Sequence, residues 1–395
     1  MRIDSAFFTI IYEHMLIYSL VEIMYQLGTS DMNQYKTNTL VIGAGQAGLA
    51  VAYYLQSTSL SYLLLDRNER IGDSWRQRYD SLSLFTSRAF SALPGVVLDG
   101  DPDGYATRDE IANYFERYAQ HFGFPVHLNQ SIQTLEKTPT GFQATTIRGD
   151  IYSSDIVIIA TGAFQEARVP QMSQDFVPDV RQFTAQNYRN PKQIPDGKVL
   201  IVGDGASGRD FAQELIQTHS VLLATGRSRR LFPEKLFGKS IWWWLDKSGL
   251  LYARSDSIIG RIMQKTDPFP ARGRRRQTLN EKGVEILPYL TSVDGDTVRF
   301  ANGHVDRVTS VIWAIGYRDN SDWVAIPSVK DNNGNFIHEE GISPVDDLYF
   351  IGRSWQRTRG SALITGVGDD AYYLIQQIQK NRSASVSKST IMQGT

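Results

Sequence analysis

Two glycine-rich turns of the same spacing constrain this chain more than any other feature. Gly43, Gly45 and Gly48 in "VIGAGQAGLA" satisfy GxGxxG, as do Gly203, Gly205 and Gly208 in "VGDGASGRD". Each turn follows an apolar, β-branched run ("TNTLVIG", "KVLIVG") and precedes a run with helical spacing ("QAGLAVAYYLQST", "SGRDFAQELIQ"). In such a strand–turn–helix unit the first glycine allows the tight turn. The second lets a pyrophosphate approach the backbone, and the third packs helix against strand. The helix N-terminus then offers free N–H groups and a positive dipole end to the phosphates.

Alternating strand and helix patterns follow both turns, which predicts parallel sheets with crossover helices. The expected fold is α/β: two Rossmann-like dinucleotide-binding domains in a three-layer ββα arrangement. Residues 36–165 form the first part of one domain and 198–314 the second domain. Residues 315–380 return to the first. The Pro-punctuated stretch 166–197 reads as a connector, and the Ser-rich stretch 381–395 as a flexible tail. In residues 107–123, Thr107 and Glu110 predict a capping box and Gly123 a helix stop. Residues 1–35 read as a dispensable amphipathic extension, with Met32 as a candidate true start. Glu13, His14 and Glu22 interrupt its apolar run, so no transmembrane segment is expected.

Composition narrows the chemistry. The chain has no cysteine, which excludes a disulfide framework, a thiolate metal site and a CxxC redox pair. Its six histidines show no ligand spacing, so no metal is expected. A net charge of −1 gives no field for nucleic acid, and the one basic run, "ARGRRRQ" (271–277), reads as a solvated loop or a local phosphate contact. A cytoplasmic protein is expected, with a homodimer left open.

An acid about 20 residues beyond a dinucleotide loop binds a ribose hydroxyl, and Asp66 ends the strand after the first loop. The strand after the second loop runs instead into "ATGRSRR", which puts Arg227 and Ser228 at the ribose position. A carboxylate there would repel a 2′-phosphate, whereas Arg pairs with it, so the second site is expected to take NADPH. Asp204, at a variable position of the fingerprint, is given no role. Two dinucleotides suggest one that stays and one that visits, with FAD in the first site and NADPH in the second. Disulfide-reducing flavoenzymes share the two-loop plan but need a cysteine pair. Reduced flavin here must deliver its electrons elsewhere, to O₂ or a diffusing acceptor.

Further motifs carry a specific likeness: "GDSWRQRYDSLSLFT" (72–86), "YATRDEIANYFERYA" (105–119), "ATGAF" (160–164), "YRNP" (188–191), "TGRSRR", "WAIGYR" and "LYFIGRSWQRTRGSALITGVGDDA" (348–371). With both glycine loops, in this order, the chain resembles the class B flavin-dependent monooxygenases from about Asn38 to Lys380. That resemblance implies an FAD-containing, NADPH- and O₂-dependent enzyme inserting one oxygen atom into a small organic substrate through a flavin hydroperoxide. An amine, a thioether or a ketone is the usual acceptor. An NADPH oxidase or reductase without oxygen insertion is the alternative.

The resemblance also implies roles for individual residues. FAD would be met by Gly43, Gly45, Gln46, Ala47, Gly48, Asp66, Arg67, Trp75, Arg76, Ile132, Ala160, Thr161, Gly162, Gly352 and Gly368. Residues Val367 to Asp370 would start a helix facing the flavin pyrimidine. NADPH would be met by Gly203, Gly205, Ala206, Ser207, Gly208, Arg227, Ser228, Ala314, Gly316 and Tyr317. Thr358 would lie near the isoalloxazine. Two departures mark candidate catalytic positions. The family fingerprint FxGxxxHxxx(F/Y) falls on Pro178, Val180, Thr184 and Tyr188, so its His is Thr184 here. The Asn that follows "FT" in the family is Ser87. Of the adjacent Trp242, Trp243 and Trp244, at least two are expected to pack and not to line a channel.

Overall fold

A computed structural model describes residues 33–226, 231–266, 269–361 and 363–393, with side chains to 383. Residues 1–32, where most of the expected extension lies, fall outside the described residues. The extension stops short of its expected boundary, because Gln34 and Tyr35 pair with Ile151 and Tyr152 in the first sheet.

The first unit comprises β1 (Gln34–Ile42), α1 (Gln46–Leu55), β2 (Tyr62–Leu65), α2 (Arg108–Phe122), β3 (Val126–His127), β4 (Ile132–Thr138), β5 (Gly141–Thr146) and β6 (Ile151–Ile159). The second comprises β7 (Arg181–Thr184), β8 (Lys198–Val202), α3 (Ala206–Leu215), β9 (Ser220–Ala224), α4 (Arg276–Glu281), β10 (Glu285–Leu287) and β11 (Ser310–Trp313). The chain then returns through β12 (Leu348–Phe350) and α5 (Ile364–Gln393). The first sheet has the order β3-β2-β1-β6-β5-β4, with β12 on the far edge of β6; the second is β10-β9-β8-β11-β7. Both loop-bearing strands, β1 and β8, are therefore central and wound the same way.

The strand patterning explains this burial. In β1, Leu40 and Ile42 face one core cluster while Val41 faces another on the opposite side. In β8, Val199 and Ile201 part from Leu200 likewise. Strands covered on both faces need the near-continuous apolar runs seen here. The α2 capping box forms between Thr107 and Glu110, and Gly123 closes the helix at φ 63°.

Two stretches carry more regular structure than their composition announces. Within the connector 166–197, β7 adds a parallel edge strand to the second sheet, on β11. Its four residues are too few to read as a strand without the neighbouring edge that supplies their hydrogen bonds. The Ser-rich tail continues α5 to Gln393. Once a helix exists, adding residues is far cheaper than nucleating one, and no proline intervenes.

Candidate functional site: two dinucleotide cradles

The first loop is closed by backbone. A side chain at Gly43 (φ 110°) would put its Cβ 2.6 Å from the Ala160 carbonyl oxygen, and one at Gly48 would sit 1.9 Å from the Gly43 oxygen. At Gly45 nothing lies within 4 Å, and α1 begins there with no side-chain cap. The loop is thus tight where it turns and open where a phosphate would approach. Asp66 holds its rim: one oxygen accepts the Ala44 N–H at 2.8 Å, the other the backbone and side-chain N–H of Asn68 at 2.9 and 2.8 Å. Gly352 (φ 79°) brings the end of β12 to the same place, where a Cβ would stand 2.8 Å from that of Ala47 and 3.9 Å from the Gly162 Cα. Thr161 accepts a hydrogen bond from Gln165. Ile132 opens β4 and is half-buried; Arg67 is exposed.

Trp75 donates to Gln46 Oε1 at 3.3 Å, placing the indole beside the first turn of α1. Arg76 is committed elsewhere. Its guanidinium binds Asp73, Glu116, Asn113 and the Ile71 carbonyl, which pins residues 71–76 to α2. The last helix also starts earlier than expected. Gly366 lies so close to Gly360 that a Cβ would come 2.3 Å from its oxygen, which closes the turn and begins α5 at Ile364. The Val367 N–H already bonds Leu363. The first intrahelical bond of α5 is thus already made at Val367, so the helix's opening N–H groups belong to the residues before it, and Gly368 packs on Pro94. Asp370, buried within α5, has its carboxyl pushed up to about 6 by burial, partly offset by Ser361 and Arg357.

The second loop repeats the first in geometry. A Cβ at Gly203 (φ 106°) would lie 2.5 Å from the Ala314 oxygen and one at Gly208 1.9 Å from the Gly203 oxygen, while Gly205 and Gly316 are open. Ala206 and Ser207 form the first turn of α3, which has no side-chain cap. Tyr317 accepts a hydrogen bond from Arg78 at 2.5 Å. Arg227 and Ser228 lie outside the described residues. The register still identifies the counterpart of Asp66. Gly43 N–H bonds Leu65 and Asp66 N–H bonds His127; Gly203 N–H bonds Ala224 and Thr225 N–H bonds Leu287. Thr225 thus stands where Asp66 stands, its hydroxyl donating to the Leu287 carbonyl at 3.0 Å. No carboxylate ends that strand.

Sequence reasoning missed the ionic frame of this loop. Asp204 is buried and pairs at 2.9 Å with Arg209, itself 2% exposed. Arg276, at the start of α4, binds the same Asp204 oxygen at 2.9 Å. Within the basic run, Arg272 donates to Ser83 and Leu84 of the first unit, and Arg274 pairs with Asp210. Those two arginines are engaged within the protein: Arg272 ties the second unit to the first, and Arg274 holds α3 within the second. Asp210 also accepts from Tyr79 at 2.6 Å. A polar cleft of about 340 Å³ remains between these ties, lined in part by Ser83, Glu214, Arg272 and Arg274.

Of the three candidate catalytic residues, Ser87 is completely buried and its Oγ has no hydrogen-bond partner. Trp242, 1% exposed, covers this segment and donates to the Phe85 carbonyl at 2.8 Å. Trp243 and Trp244 stack edge to face, so Trp242 packs on Phe85 and these two pack on each other. Thr184 ends β7, where its hydroxyl accepts from Gln186 and donates to Asn187 in a local turn. Thr358 accepts from the Gly360 N–H in the loop before α5. Glu285, His304 and Asp306 bring ligand atoms within 4.8 Å of one another, but Lys198 already neutralises Asp306. Among the described residues, no helix is long and apolar enough to cross a membrane.

Two glycine cradles, both open at the second glycine, with a carboxylate ending the strand after one of them, have the geometry of dinucleotide loops. They define the class of two-nucleotide flavoprotein oxidoreductases. Residues 40–236 match the pyridine nucleotide-disulphide oxidoreductase family. An uncharacterized CzcO-like oxidoreductase of Geobacillus kaustophilus is 44% identical over 346 residues, spanning 87% of this chain and 99% of the relative. A probable indole-3-pyruvate monooxygenase, YUCCA3 of Arabidopsis thaliana, is 27% identical, spanning 77% of each chain. The solved flavin-containing monooxygenase of Stenotrophomonas maltophilia shares the fold, with a TM-score of 0.74 at 22% identity, covering 88% of this chain and 99% of that one. The chain belongs to the class B flavin monooxygenase-like family of NAD(P)H-dependent flavoprotein oxidoreductases, whose cofactors are FAD and NADPH.

Proposed function

We propose that the first cradle holds FAD, the second admits NADPH, and O₂ takes up the electrons with transfer of one oxygen atom to a small organic substrate. An amine, a thioether or a ketone is the expected acceptor. The balance is NADPH, H⁺, O₂ and substrate to NADP⁺, water and oxygenated substrate. FAD, when bound, supplies hydride acceptance from the nicotinamide and reactivity toward O₂. One observation carries the reading: the chain holds two dinucleotide cradles and no cysteine, so no dithiol exists to relay electrons to a disulfide.

The chain's own residues bind, orient and shield. Gly43, Gly45 and Gly48 present backbone to the FAD pyrophosphate, and Asp66 takes the ribose. Phe85 and Trp242 keep water from Ser87, whose unpartnered hydroxyl is a donor in a dry place. Thr184 supports the oxidase alternative, in which NADPH, H⁺ and O₂ give NADP⁺ and H₂O₂. Its hydroxyl is engaged in its own turn and does not replace the family's histidine. Measuring NADPH consumed, H₂O₂ formed and a one-oxygen mass gain across sulfides, amines and ketones tests both. The expected result is an oxygenated product with less H₂O₂ than NADPH. H₂O₂ equal to NADPH with every compound would leave the oxidase reading.

A further inference from the structure

We propose that Arg276, held in place by Asp204, reads the 2′-phosphate of NADPH at the second cradle. The inference rests on the second loop being the NADPH site and is independent of where the oxygen goes.

Position is the first argument. α4 leads into β10, which runs parallel to β9. The helix therefore starts at the carboxyl edge of the sheet, where β8 and β9 open onto the crevice that receives ligands. Arg276 is the first residue of α4. Its partner Asp204 is the counterpart of Ala44, whose N–H touches the ribose-reading Asp66 at 2.8 Å. Asp204 therefore lies at the ribose end of the loop, and Thr225 removes the acid that would oppose a phosphate there.

Charge is the second. Asp204 and Arg209 already form a buried pair 2.9 Å apart, neutral by itself. Arg276 is a surplus positive charge and keeps 38% of its side chain exposed, against 2% for Arg209. Its Nε and Nη2 both bind Asp204 Oδ2, at 3.2 and 2.9 Å, and its Nη1 has no hydrogen bond among the described residues. A guanidinium fixed along one edge and free on another is pre-organised for a phosphate oxygen.

The test is titration calorimetry of the FAD-loaded protein with NADP⁺ and NAD⁺, which requires no turnover. Wild type should prefer NADP⁺. Arg276→Ala should weaken NADP⁺ by about tenfold or more while moving NAD⁺ less than about twofold, as loss of a charge-assisted hydrogen bond predicts. Arg276→Lys should recover part of the loss. Equal weakening of both nucleotides would reassign Arg276 to the pyrophosphate or to loop structure, and no change in either would leave it as a counter-ion; both results overturn the proposal. A wild type that binds neither nucleotide overturns the site assignment itself, which the variant arms cannot mimic.

Discussion

Asp204 and Arg209 form a buried ion pair, 2.9 Å apart, at the two positions where the first unit carries Ala44 and Leu49. The same backbone thus has an apolar solution in one unit and an ionic one in the other. Removing one partner of a buried pair leaves an uncompensated charge, whereas replacing both with apolar residues does not. Asp204→Ala should cost about 3 kcal/mol and lower the melting temperature clearly. Asp204→Ala with Arg209→Leu, which restores the first unit's residues, should melt closer to wild type. A double variant less stable than the single one would contradict this account.

The two cradles should fail separately. A methyl group at Gly48 or Gly208 would lie 1.9 Å from a backbone oxygen that cannot move without opening the turn. Gly48→Ala should lose most of its bound FAD, read as the ratio of flavin to protein absorbance. Gly208→Ala should retain FAD and lose NADP⁺ binding. Loss of FAD in the Gly208 variant would count against separate sites.

Ser87 offers a different signature. A buried hydroxyl without a partner contributes nothing to stability, so Ser87→Ala should melt at or slightly above the wild-type temperature. If the hydroxyl serves oxygen transfer, the share of NADPH electrons recovered as H₂O₂ should rise in the same variant. An unchanged share with an unchanged melting temperature would remove Ser87 from the chemistry.

Asp370 makes stability depend on pH. Burial raises its carboxyl from 3.8 to about 6 in the folded chain, so folding favours its protonated form. Well below pH 3.8 the group is protonated in both states and contributes nothing. Between 3.8 and about 6 the unfolded chain ionises it while the folded chain keeps it protonated, so stability falls across that window and the full cost is present above it. Asp370→Asn should therefore melt close to wild type at about pH 4 and clearly above it at about pH 7. An equal gain at both pH values would point to another cause.

Much of this molecule was legible in its residues because it depends on local rules. Gly43, Gly48, Gly203 and Gly208 are dictated by backbone that no side chain can share, and such positions leave a fixed spacing. Thr107, Glu110 and Gly123 announce a helix by capping chemistry within a few residues. Arg272 and Arg274 misled for the opposite reason. A run of arginines has the same composition whether it faces water or crosses to Ser83 and Asp210.

By itself, then, the sequence determined the two-cradle α/β plan, the cofactor class and the exclusion of a dithiol. Those follow from backbone geometry and from which atoms the chain contains. Only the tertiary structure decided that β7 is a strand, that Thr225 replaces Asp66, that α5 begins at Ile364, and that Asp204 holds two arginines. Each of these depends on a partner distant along the chain, and a side chain's charge or hydrogen bond has no meaning until the fold brings that partner within about 3 Å.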